Sequence, residues 1–151
     1  MPSIVTLTLN PAMDLSTRIE RVVPTRKLRC ERPHYDPGGG GINVARVVSA
    51  LGGDAVAVYP AGGPFGDMLV RILEGLGIAQ RPVPIAGETR ESFTVDERAS
   101  GEQYRFVLPG PTLSEAEQQA CLEAIAALEP APAWLVLSGS FPPGVEPAFF
   151  A

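Results

Sequence analysis

A chain of 151 residues is long enough for one domain with a sizeable core, and an apolar content of 45% fits a soluble globular protein rather than a disordered one. The net charge is −5, with basic residues scattered, which excludes a nucleic-acid footprint, and no apolar run is long enough to span a bilayer. His34 is the only histidine, so a zinc centre or a Ser-His-Asp triad has almost no material within the chain, and no metal site is expected.

Ser3–Leu9 is β-branched and nearly continuous in apolar character, which predicts a buried strand of a parallel sheet. Asn10–Asp14 is expected to leave its carboxyl end as a loop. Ligands of open α/β sheets sit beyond such ends, so Asp14 is a ligand candidate as well as a turn or helix-cap residue. Arg18–Val23 and Lys27–Tyr35, separated by Pro24-Thr25, mix apolar and charged residues and read as two half-exposed strands.

Gly38–Gly41 follows, four glycines that suit either a tight turn or a close approach of backbone to a ligand. Val44, Val47, Val48 and Leu51 then recur at helical spacing, and Gly52-Gly53 is a natural stop. A bare loop would thus feed a helix N-terminus, where free amides favour anionic or oxygen-rich ligands. Asp54–Tyr59 predicts a second buried strand, Pro60–Pro64 a turn, and Phe65–Leu76 a helix with Met68, Leu69, Ile72, Leu73 and Leu76 inward, closed by Gly77. Strand–helix alternation of this kind is the signature of a βαβ sheet.

Gly87–Leu108 breaks the alternation. Phe93 and Val95 alternate with polar residues, Ala99-Ser100-Gly101 turns, and Tyr104, Phe106 and Leu108 share a face opposite Gln103, Arg105 and Val107. This predicts a hairpin able to pair with the mixed strands near Lys27 in a small accessory sheet. That sheet could be a lid, a dimer surface or an ordinary sheet edge. Ser114–Glu117 is a capping box for a helix reaching about Leu128. Trp134–Leu137 reads as a third buried strand, Ser138–Ser140 as a loop at its carboxyl end, and Glu146–Ala151 as the start of a helix. Cys30 and Cys121 are isolated, so free thiols are expected. Met1-Pro2-Ser3 lacks the features of a secretion signal, which makes a cytoplasmic location the expectation.

Asn10–Asp14, Gly38–Asn43 and Ser138–Ser140 would meet on one rim, offering a carboxylate, bare amides, a carboxamide and a hydroxyl, a set that hydrogen-bonds a polyol well. Arg90 and Arg105 on the accessory sheet are either solvated surface charges or a bidentate grip on phosphate. No Walker A motif occurs, and Asn43 stands where a dinucleotide fingerprint starting at Gly38 needs its third glycine.

Several runs carry a family resemblance: Thr6–Leu9 with Pro11 and Asp14, Lys27–Cys30, Pro37–Arg46, Pro60–Gly63, Thr89-Arg90, Ala99–Val107 and Ser138–Val145. On them the chain resembles the N-terminal half of ribokinase-like carbohydrate kinases, more narrowly the minor ATP-dependent 6-phosphofructokinases. The resemblance implies a three-layer α/β/α core with a small β-sheet lid built from segments near 16–37 and 86–110. It implies that Asp14, Gly39, Gly40, Gly41, Asn43 and Ser140 hold the sugar, and that Arg90 and Arg105 hold its phosphate. Lys27 would reach a phosphate or nucleotide across a homodimer formed through the lid. ATP with Mg2+ would be the co-substrate, and the catalytic aspartate would lie in a G-A-G-D motif that this chain lacks. The chain alone is then expected to be inactive. Tagatose-6-phosphate kinase, fructose-1-phosphate kinase and a non-catalytic sugar-phosphate-binding or dimerising module are the competing expectations.

Overall fold

β1 (Ile4–Leu7) is the axis of the larger sheet. Its parallel neighbours are β4 (Ala55–Ala61) and β8 (Trp134–Leu137), and β5 (Ala79–Pro84) adds beyond β4, giving the order β5-β4-β1-β8. The computed structural model describes residues 4–150. Met1-Pro2-Ser3 and Ala151 lie outside the described residues, and with them the first position of the expected opening strand, the stretch weighed as a secretion signal and the last position of the expected final helix.

Strand periodicity sorts the core into two sides. Val5, Leu7 and Val58 face α3 (Glu115–Ala126) in one cluster with Leu113, Cys121 and Leu128. Ala57 and Tyr59 face α1 (Gly40–Ala50) and α2 (Gly63–Gly75) in the other, with Ile42, Ala45, Leu69 and Leu73. A parallel sheet with helices on both faces is the three-layer arrangement expected of such buried, β-branched strands. The capping box of α3 forms as its sequence demands: Ser114 Oγ accepts from the Glu117 amide, and Glu117 Oε2 accepts from the Ser114 amide at 2.8 Å.

A second sheet, in the order β3-β2-β6-β7, consists of β3 (His34–Gly38), β2 (Ala12–Ile19), β6 (Arg90–Glu97) and β7 (Gln103–Val107). It differs from expectation in three ways. The Asn10–Asp14 loop ends at Pro11, and Asp14 is the third residue of β2, because Met13, Leu15 and Ile19 already keep a strand period. Residues 20–33 are irregular rather than a pair of strands: Pro24 and Pro33 cannot donate, Thr25 has φ 63°, and Leu28 and Cys30 are exposed. The hairpin β6–β7 therefore pairs with β2, in parallel, and not with a strand near Lys27.

The irregular stretch is nevertheless tied down. The buried carboxylate of Glu97 accepts from the Val22 amide at 3.2 Å, from Ser100 Oγ at 3.1 Å and from the Tyr104 hydroxyl at 3.2 Å. Arg98 forms an ion pair with Glu31, and the amides of Arg98 and Ala99 donate to the carbonyls of Ile19 and Glu20.

Two further corrections concern the larger sheet. The turn expected over Pro60–Pro64 shrinks to Gly62, since β4 runs through Ala61 and α2 starts at Gly63. β8 is a strand but not a buried one: it is the sheet edge, and Trp134 is 70% exposed. The described residues end in a short 3-10 helix, Pro147–Phe150, where the start of a helix was expected.

Candidate functional site

The second sheet has two chemically different faces, and the pairing register states them row by row. Tyr35, Leu15, Phe93 and Phe106 lie across from one another on one face, with the Phe93 and Phe106 rings stacked at 4.6 Å. Asp36, Asp14 and Ser92 form a row on the other face, and His34, Ser16, Thr94 and Arg105 form the next. A cavity of about 280 Å³ is lined by Asp14, Asp36, Arg90, Ser92, Thr94 and Arg105 of the polar rows and Gly39, and also by Leu15, Phe93 and Phe106 of the apolar row.

The glycine run closes one end of this cavity. Only Gly39 is a connecting residue, with φ 128°, a conformation that side chains resist; Gly38 ends β3 and Gly40 begins α1. The expected flexible loop is therefore a one-residue pivot. Glycine is required for packing as well. A Cβ on Gly38 would overlap the Asp14 carboxylate, one on Gly40 would overlap Ser138 Oγ, and one on Gly41 would lie 2.6 Å from Thr8 Oγ1.

α1 has no side-chain cap of its own. Thr8, at the tip of β1 and fully buried, caps it from outside: its Oγ1 accepts from the Ile42 amide at 3.0 Å. The Gly41 amide donates to the Ser138 carbonyl at 3.2 Å. Two amides of the first turn are thus already used, which leaves fewer free donors than the sequence suggests.

The charged residues are balanced within the cavity. Asp14 is squeezed by two opposing influences: enclosure by the protein raises its carboxyl above the ordinary aspartate value, while Arg90 and Arg105 pull it down and Asp36 pushes it up. The raising influences win. Arg90 is fixed, its Nη1 donating to the Leu108 carbonyl and its Nη2 to the Asn10 carbonyl, both at 3.1 Å. Its Nε is buried without a partner among the described residues, as is Ser92 Oγ. Arg105 is exposed and has no such anchor among the described residues.

The remaining candidates fall outside this lining. Ser140 Oγ accepts from the buried Asn10 side-chain amide at 3.0 Å, behind Arg90. Asn43 is exposed on α1 and lines a different groove, with Arg46 and Leu76. Lys27 is exposed in the irregular stretch and lines neither cavity. Sequence reasoning missed Thr8, Asp36, Ser92 and Thr94. The available signal was polar residues at every second position of β2 and β6, which marks one hydrophilic sheet face.

The profile of the pfkB family of carbohydrate kinases matches residues 5–151. This chain belongs to the pfkB family. The ATP-dependent 6-phosphofructokinase isozyme 2 of Mycobacterium tuberculosis is 52% identical over 149 residues, covering 99% of this chain and 44% of the relative. The enzyme of the same description from Escherichia coli K12 is 47% identical over 146 residues, covering 97% and 47%. The crystal structure of Escherichia coli phosphofructokinase-2 in complex with fructose-6-phosphate superposes with a TM-score of 0.91 at 44% identity, over 99% of this chain and 49% of that one. The chain spans about half the length of these pfkB relatives, and it corresponds to their N-terminal half. Its α/β core is accordingly the first half of a ribokinase-like fold.

Proposed function

We propose that this chain forms the sugar-phosphate half-site of an ATP-dependent kinase, which transfers the γ-phosphoryl group of ATP to the C1 hydroxyl of fructose 6-phosphate and yields fructose 1,6-bisphosphate. The observation that carries the reading is the cavity itself: two carboxylates, a bare backbone pivot and two guanidiniums line one space. Asp14 accepts hydrogen bonds from sugar hydroxyls. Gly39 lets the ring lie against backbone. Arg90 is held in place by two carbonyls and presents a fixed charge, while Arg105 is free to close on the phosphate dianion.

This chain spans 44% and 47% of those relatives, and in this reading the rest of the reaction belongs to a C-terminal half. In that half an aspartate takes the proton of the C1 hydroxyl as its oxygen attacks the γ-phosphorus, and ADP leaves. Among the described residues no three Asp, Glu, His or Cys side chains converge as a metal site. In this reading Mg2+ enters with ATP as part of the co-substrate.

In this reading the second sheet is the lid over the sugar phosphate. Its apolar row, Tyr35, Leu15, Phe93 and Phe106, is the surface through which two copies pair, and Lys27 reaches the partner's site. The test is a product assay on the full-length protein with ATP and a panel of fructose 6-phosphate, tagatose 6-phosphate, fructose 1-phosphate and fructose. Turnover of fructose 6-phosphate at C1 is expected to dominate. Preference for another phosphorylated ketose would move the substrate within the family, and turnover of fructose alone would reject the phosphate-gripping role of the arginines. The 151-residue chain by itself is expected to show none of these activities.

A further inference from the structure

Gly39 is the single residue that joins β3 to α1 at the cavity wall. Four consecutive glycines supply no side chain to hold that junction, and ordering each costs more backbone entropy than any other residue type. Its N-terminal end is β3 and its C-terminal end is α1, so a contact that joins those two elements would fix everything between them.

Arg46 makes that contact. It sits on α1, one turn beyond Asn43, and its side chain is 32% exposed. Its Nη1 donates to the Pro37 carbonyl at 3.3 Å and to Asn43 Oδ1 at 3.5 Å, and its Nη2 lies 3.8 Å from Asp36 Oδ1. One guanidinium therefore reaches a backbone carbonyl and a carboxylate ahead of the run, and a carboxamide after it. Arg46 itself is absent from the lining of the Asp14 cavity. Its partner Asp36 is in that lining, directly across from Asp14.

We infer that Arg46 is a positioning residue that sets the shape of Gly38–Gly41 from behind and thereby places Gly39 and Asp14 for the ligand. The inference rests on the sugar-phosphate reading above for its ligand, but not for its geometry. Three acceptors in different directions suit a planar guanidinium, which presents five N–H groups, and not a single ammonium. Arg46 also offsets the Asp36 charge beside Asp14. Without it, the glycine run loses its brace and two carboxylates face each other with less compensation. The expected consequence is a misplaced binding wall in an otherwise intact fold.

The experiment compares the full-length protein with its Arg46→Met and Arg46→Lys variants by calorimetric binding of fructose 6-phosphate and by amide hydrogen exchange. Arg46→Met is expected to bind about tenfold more weakly, the loss of one charged hydrogen-bonding group. Exchange is expected to rise at Gly39, Gly40, Gly41 and Ile42 and to stay unchanged in β1 and β4. Arg46→Lys is expected to fall between parent and Arg46→Met on both readouts. Affinity within twofold of the parent, or faster exchange spread evenly over the chain, overturns the inference. If Arg46→Met does not fold, Asp36→Asn replaces it: a local rise in exchange over the same four amides supports the brace, and unchanged exchange overturns it. Failure of the sugar-phosphate reading looks different, since the parent itself would then bind no fructose 6-phosphate while the exchange arm still reports on Arg46.

Discussion

Arg90 and Arg105 reach the same cavity by different means. Arg90 has two of its nitrogens committed to backbone carbonyls, whereas Arg105 stands exposed on β7. Replacing Arg90 with Ala removes both a charge and the link between Asn10 and Leu108, so it should weaken ligand binding and lower stability. Replacing Arg105 with Ala should weaken binding while leaving the urea midpoint almost unchanged. In the full-length protein both variants should lose far more affinity for fructose 6-phosphate than for fructose, measured by calorimetry. Equal losses for the two ligands would mean that neither arginine meets the phosphate. A second expectation concerns Glu117. Its carboxylate accepts from the Ala86 amide, the Ser114 amide and the Ser114 hydroxyl, which together hold its pKa below the ordinary value of 4.5. A lowered folded-state pKa adds stability above the unfolded value and loses it as the pH falls through the folded one. The urea midpoint, followed over roughly pH 3 to 6, should therefore fall less steeply on acidification in Glu117→Gln than in the parent. Parallel curves would show that the three bonds contribute nothing to folding.

The elements of the core were readable because their patterns are strong. Leu69 and Leu73 repeat at helical spacing and are fully buried in α2. Leu76, expected inward with them, is exposed at the helix's C-cap, and Val47 and Leu51, expected on the apolar face of α1, are exposed while Gly41, Ile42 and Ala45 form its buried face. Leu69→Ala should cost about 2–5 kcal/mol, the range for truncating a buried leucine. Val47→Ala, on the exposed face of α1, should stay within about 0.5 kcal/mol. Chemical denaturation of both variants checks the contrast. The second sheet was only half legible. Its outer hairpin alternates cleanly, so β6 and β7 were visible, and so was the opposition of Arg105 to Phe106. β2 was hidden behind Pro11, whose usual association with turns outweighed the alternation that follows. β3 was misplaced because residues 27–33 look as strand-like as 34–38, and only pairing with β2 selects the latter. β5 was passed over, since prolines at 82 and 84 argue against a strand unless it lies at an edge, which is where it is. In the cavity, Asp14, Arg90 and Arg105 were nameable from residue type and position. Asp36 and Thr8 were not, because their roles depend on which strand lies beside which.

At the scale of the whole molecule, the edge of the larger sheet dominates. Trp134 is 70% exposed, Leu135 48% and Leu137 39%, and Leu122 on α3 is exposed nearby in the chain. An apolar strand with an open hydrogen-bonding edge is a template for further pairing. The 151-residue chain should therefore self-associate in a concentration-dependent way in analytical ultracentrifugation, and Leu135→Lys should reduce that association. Monomeric behaviour of the parent at high concentration would show that the edge is better protected than its exposure implies.

The grip of Glu97, Arg98 and Ala99 on residues 19–31 has a mechanical consequence. The hairpin turn and the long irregular stretch travel together as one plate, since neither can shift without breaking the buried carboxylate's bonds. Four short connections, at residues 8–11, Gly39, 85–89 and 108–114, lead from the second sheet to the rest of the described chain, and Met13 and Tyr35 seat it on the core beside α1 and α2. The mouth above Asp14 is thus framed by a sheet anchored at its β2–β3 side, where the shortest of the four connections is a single glycine.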